Sequence, residues 1–119
     1  HGNPLQAKEI YTETWEWLQK ISCAAKVAPA LIERYAMSCA RWIQCEETTS
    51  KLGFLSKHPT TGSPIPSPFV NIGIQYMNQA TRQWNEIFQI VKENCSTDYN
   101  NRPSPQDDLM ERLLRARGN

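Results

Sequence analysis

KLGFLSKHPTTGSPIPSPF, residues 51–69, holds four of the chain's eight prolines and two of its five glycines. Long amphipathic patterns flank it on both sides, so the densest punctuation falls between the two longest helical stretches. Phe54 to Pro66 reads as two short extended arms, FLSKH and PIPS, around a turn, PTTGS. Gly62 can supply a positive φ, and the prolines keep either flanking helix from running on. Pro64 and Pro66 lack an N–H and fit only an edge strand. A hairpin this small is marginal alone. It suits a projection packed on another subunit or on its own helices; a plain loop between antiparallel helices is the alternative.

Upstream, Leu31, Ile32, Tyr35, Ala36, Cys39, Ala40, Trp42, Ile43 and Leu52 keep a helical period, and Gly53 stands where a left-handed residue closes a helix. The spacing predicts a helix over 29–52. Downstream, Ser67-Pro68 is a cap followed by proline at the first helical position. Phe69, Ile72, Tyr76, Met77, Ala80, Trp84, Ile87, Phe88 and Val91 then recur with period 3.6, to about Glu93. Gly73 within that pattern costs about 1 kcal/mol relative to alanine, which close helix contact would explain. An N-terminal helix is expected over 4–21, opened by Asn3-Pro4, with a gap in its stripe at Thr14. Past the polar run NCSTDYNNRPSP, a short helix is expected from Ser104-Pro105. Asp107 and Asp108 fill its first turn, and Arg112, Arg115 and Arg117 lie toward its end.

The expected fold is therefore mostly α: two long antiparallel helices joined by a short β-hairpin-like turn, plus an N-terminal helix and a short C-terminal one. Its organisation reads as a helical core over 3–93 with the hairpin at 54–67, a linker over 94–103, and an amphipathic segment over 104–119. No internal repeat is visible. His1 and Gly2 read as a cloning remnant on an expressed fragment.

With 13 Lys plus Arg against 12 Asp plus Glu, the net charge is +1, too small for a free-standing nucleic-acid binder. No apolar run approaches the ~18–20 residues that span a membrane. The cysteines at 23, 39, 45 and 95 form no CxxC, and the two histidines make no ligand pair. They read as reduced cysteines packed as small hydrophobes, with a disulfide framework as the alternative. There is no phosphate-cradling GxxxxGK[ST], HExxH or serine elbow. Glu46 and Glu47 are neighbours on a helix and point about 100° apart, so they do not converge on one substrate. Nothing calls for a cofactor or a metal, and no catalytic residue is expected. Trp15, Trp17, Trp42 and Trp84 read as packing residues rather than base-stacking platforms. Trp15, Met37 and Ile74 lie off the main apolar stripes, a surplus that favours burial against neighbours.

The ordered set ERYAMSCARWIQCEE, KLGFLSK, PTTGSPIPSPF and a following long helix resembles the small terminase subunit of tailed double-stranded-DNA phages. Glu33, Arg34, Tyr35, Ala40, Arg41, Trp42, Lys51, Gly53, Gly62, Pro64, Ser67, Pro68 and Phe69 carry the resemblance, which covers roughly 4–93. It implies a non-catalytic protein that forms rings, recognises viral DNA and delivers it to a large subunit holding the ATPase and nuclease. The setting implied is the cytoplasm of the infected bacterial host, not secretion. A ring turns one lysine per subunit into a circle of lysines, so a near-neutral chain can hold a polyanion. On that basis Lys8, Lys20, Lys26 and Lys57 are the candidate DNA contacts. Trp15, Arg34, Tyr35, Arg41, Trp42, Phe69 and Trp84 are the candidate subunit contacts. Arg34 and Arg41, seven apart, share one helix face, where solvation, an intersubunit ion pair or a phosphate contact all fit. Leu109, Met110, Leu113 and Leu114 are the candidate docking face for the large subunit; packing within the ring is the alternative. The competing class is a secreted or intracellular four-helix interaction protein with no DNA role.

Overall fold

A computed structural model describes residues 6–95 and 103–118. In chain order it has α1 (Ala7–Lys20), a single 3-10 turn (Ala24–Lys26), α2 (Pro29–Leu52), β1 (Leu55–Lys57), β2 (Pro64–Pro66), α3 (Pro68–Asn94) and α4 (Pro105–Ala116). The mostly α fold, with a two-stranded hairpin between the two longest helices, is the one expected from sequence.

Local chemistry sets the boundaries. Pro29 opens α2 with no side-chain cap, and Gly53 closes it at φ +87°, its N–H donating to Thr49 O at 2.7 Å. Ser67 caps α3 by accepting from the Phe69 N–H. Ser104 and Asp107 form a capping box around Pro105, satisfying two otherwise orphaned N–H groups of α4. The Asn3-Pro4 start expected for α1 lies outside the described residues. At its other end Ser22 takes φ +61°, and the Cys23 N–H reaches back to Leu18 O at 2.7 Å. The gap in the α1 stripe is Thr14, which is fully buried and donates its hydroxyl to Ile10 O.

β1 and β2 pair antiparallel, Leu55 with Pro66, Ser56 with Ile65 and Lys57 with Pro64. Both prolines therefore sit on an edge strand. Gly62 takes φ +75°, and the His58 ring holds the turn by accepting at Nδ1 from the Thr60 and Thr61 N–H groups. Nearly every residue from Gly53 to Pro66 is exposed, so the hairpin projects rather than folding back on its helices.

α2 and α3 run antiparallel, Ser38 opposite Gln79 and Cys45 opposite Gly73. A Cβ built on Gly73 would stand 3.2 Å from the Cys45 Cβ, so the helices meet closely there, the reason expected for a mid-helix glycine. α1 packs across α2, and α4 lies along both, giving a rod of about 58 × 23 × 23 Å. Trp84 is the aromatic hub of the core: its ring lies 5.4 Å from Trp17, 5.6 Å from Tyr35 and 6.0 Å from Phe88.

Two features depart from the sequence reading. Cys23 and Cys95 are disulfide-bonded, their Cα atoms 6.0 Å apart across 72 residues, because antiparallel packing brings the end of α3 against the α1–α2 connection. Only Cys39 and Cys45 are the buried free thiols expected of all four. The C-terminal helix also joins the main core: Leu109 and Leu113 are buried in it. Gln106 Nε2 donates to the Tyr35 hydroxyl, Arg112 bonds the side chains of Gln6 and Glu13, and Arg117 pairs with Glu46.

Candidate nucleic-acid and subunit interfaces

The structure separates the four candidate lysines, all of which are exposed. Lys20 ends α1 and Lys26 ends the 3-10 turn, so both flank the Cys23–Cys95 bridge. Lys92, one turn before Cys95 and over the Phe88 ring, joins them; nothing in its spacing to the other two suggested it. Lys57 stands on the hairpin, beyond the far end of α2, a helix about 36 Å long at 1.5 Å per residue. Lys8 is about 18 Å along α1 from Lys20 by the same rise. The fold thus makes one three-lysine end and leaves Lys8 and Lys57 apart from it.

The candidate subunit contacts divide likewise. Tyr35 is corrected from this set: its side chain is fully buried, with the hydroxyl accepting from Gln106. Burial raises its pKa far above the ordinary tyrosine value, and a neighbouring Cys39 adds to the shift. Trp84 is half-buried, packed around by three aromatic rings. Trp42 and Phe69 come together around a hollow of about 100 Å³ at the hairpin end, with Cys45, Phe54, Gly73 and Met77. Beside it Leu52, Phe54 and Leu55 stand in solvent, Phe54 at 73 % exposure. The LGFL run that supplies them was visible in the sequence, but its exposure follows from the hairpin's projection.

Arg34 and Arg41 lie on the outer face of α2 with Met37 between them. They line a groove of about 490 Å³ completed by Tyr76 and Gln79 of α3, with Glu33 at its edge. Arg41 bonds Gln44 Oε1 at 3.0 Å, and neither guanidinium forms an ion pair with a described residue. Trp15, on the outer side of α1, is 38 % exposed.

On α4 the four candidate docking residues split in two. Leu109 and Leu113 face the core, whereas Met110 and Leu114 are 54 % and 42 % exposed.

Burial pushes the Cys39 thiol up to about 12, which keeps it protonated, and burial also raises Cys45. Among the described residues no group of three His, Cys, Asp or Glu side chains could hold a metal ion, and no helix is long and apolar enough to cross a membrane.

The sequence model of the family described as phage terminase, small subunit, matches residues 7–95, from the start of α1 to the Cys95 that closes α3. No curated protein and no solved structure gives a significant match.

Proposed function

The chain belongs to the phage terminase small-subunit family, which serves phage DNA packaging, and from that premise we propose that it assembles into a closed ring, binds viral DNA and delivers it to the large terminase subunit. It acts in the cytoplasm of the infected bacterial host and does no chemistry of its own; ATP hydrolysis and cleavage belong to the large subunit. The observation that carries this reading is the polarity of the rod. Lys20, Lys26 and Lys92 are gathered at one end, and large apolar side chains are left uncovered on its flanks and at the hairpin end. Apolar surface of that kind marks association. In a ring the lysine ends repeat around one rim, where they contact phosphates rather than bases.

Met110 and Leu114 are the part of α4 free to meet the large subunit, since Leu109 and Leu113 are occupied by the core. The alternative, a helical interaction protein with no DNA role, has the Cys23–Cys95 bridge in its favour. Native mass spectrometry combined with DNA titration decides. The expected result is a single multimer of many copies whose DNA affinity falls steeply with salt and is weakened by Lys20→Glu with Lys26→Glu. A monomer at about 10–50 μM that ignores DNA at low salt overturns the reading.

A further inference from the structure

Two separate surfaces of the rod match each other in charge. On α2, residues 34, 37 and 41 lie within about 60° of one another at 100° per residue. Tyr35 and Glu46, which meet α4, lie about 160–180° round from Met37. The groove therefore faces away from α4. On α1, the buried residues Ile10, Thr14, Trp17 and Leu18 turn inward, leaving Glu9, Trp15 and Glu16 on the outer side.

The charges are complementary and equally spaced. Glu9 and Glu16 are seven residues apart, as are Arg34 and Arg41, so each pair spans about 10.5 Å along its helix. None of the four forms an ion pair with a described residue of its own subunit. With Glu16 set against Arg34 and Glu9 against Arg41, the helices run antiparallel. Trp15 then falls within about 3 Å of Met37 along the axis.

We propose that the groove between α2 and α3 receives α1 of a second copy of this chain, with Glu16 and Glu9 paired to Arg34 and Arg41 and Trp15, about 100–120° further round α1, covering Met37 from the groove's outer edge. The contact is heterologous, because two different faces meet, and such contacts propagate from copy to copy until the rotation closes. This rests on the ring reading and assigns its repeating joint. Met37, 38 % exposed beside the two arginines, favours a helix that carries both carboxylates and an aromatic side chain over a polyanion as the occupant.

The test uses the full chain in three forms. Trp15→Cys combined with Met37→Cys, treated with a short bismaleimide, should give a ladder of cross-linked multimers on a denaturing gel. An equimolar mixture of the two single variants should stop at dimers. Arg34→Glu with Arg41→Glu should weaken assembly at least about tenfold while leaving the helical melting transition in place, because all four side chains are solvent-accessible. Adding Glu9→Arg and Glu16→Arg to the same chain should restore it. A wild-type multimer whose mass is indifferent to the charge reversals, with no ladder, overturns the joint and leaves the ring standing. Efficient dimerisation of Trp15→Cys alone would mean that like faces meet, which also overturns it. So would an unchanged mass with abolished DNA binding in Arg34→Glu/Arg41→Glu, which would make the groove a phosphate site. A wild-type chain that stays monomeric at about 10–50 μM removes the ring itself.

Discussion

Truncating α4 one side chain at a time separates its two faces. Leu109 and Leu113 are 5 % and 2 % exposed and belong to the cluster that holds α1, α2 and α3 together. Replacing either with alanine removes three carbons from a packed site, and the cost comprises the forfeited transfer free energy plus the residual cavity, about 2–4 kcal/mol each. A domain of this size has about 5–15 kcal/mol in total, so either change is severe. Met110 and Leu114 are exposed, and alanine there should shift stability by less than about 0.5 kcal/mol. Urea unfolding at one fixed protein concentration reads the difference, since association would otherwise shift the apparent stability. With m near 2 kcal/mol/M, the buried pair should lower the midpoint by about 1–2 M and the exposed pair by less than about 0.3 M. If all four variants shift equally, α4 does not pack on its own subunit as described. If the two buried leucines alone matter for folding while Met110→Ser with Leu114→Ser abolishes stimulation of the large subunit's ATPase, the outer face is the docking face.

Gly73→Val should destabilise by about 1–3 kcal/mol, because even a Cβ there meets Cys45 at 3.2 Å, whereas Gly73→Ala should change stability by less than about 1 kcal/mol as helix propensity offsets the contact; a Val variant as stable as wild type would refute the close approach. Reducing the Cys23–Cys95 bridge should cost about 4 kcal/mol on chain-entropy grounds, given the 72-residue separation, and Cys23→Ser should be insensitive to reductant; equal midpoints with and without dithiothreitol would contradict the pairing. Burial raises the Cys39 thiol from 9.0 to about 12, so the folded state favours the protonated form: its contribution is fully present below pH 9 and is lost as pH rises toward 12. The urea midpoint should accordingly fall above pH 9, less steeply in Cys39→Ala, and parallel pH profiles for the two proteins would count against it.

The elements legible in the sequence are those set by local chemistry. Pro29 and Gly53 bound α2, Ser67-Pro68 starts α3, and Ser104-Pro105 starts α4, each through a backbone conformation or a cap that neighbouring residues dictate. The hairpin was legible because prolines and Gly62 exclude most other conformations. What stayed hidden depends on long-range packing. The 72-residue span between Cys23 and Cys95 carries no periodicity. Tyr35 shares a short motif with Arg34, yet one residue of helix turns it about 100° into the core. Leu109 and Leu113 were recognisable as one face of a helix, but not as a face whose partner is the same subunit. Lys92 became part of a lysine cluster only once α3 returned antiparallel to α2.

The proposed joint has a consequence for DNA binding that bears on the near-neutral charge. It lies between long sides of the rod, so neighbouring copies would pack laterally, with their long axes roughly aligned. Lateral packing puts every Lys20, Lys26 and Lys92 on the same rim and every Phe54 and Leu55 on the opposite one. The two arginines of the groove, spent on Glu9 and Glu16, would add nothing to the polyanion's attraction. The salt dependence of binding should then report the rim lysines alone. Its slope should fall by about 0.9 for each phosphate that is no longer neutralised once a rim lysine is removed. Removing Lys57 at the opposite end should leave the slope unchanged. An ordering in which Lys57→Glu weakens binding more than Lys26→Glu would place DNA on the hairpin rim instead, and the lysine end would need another partner.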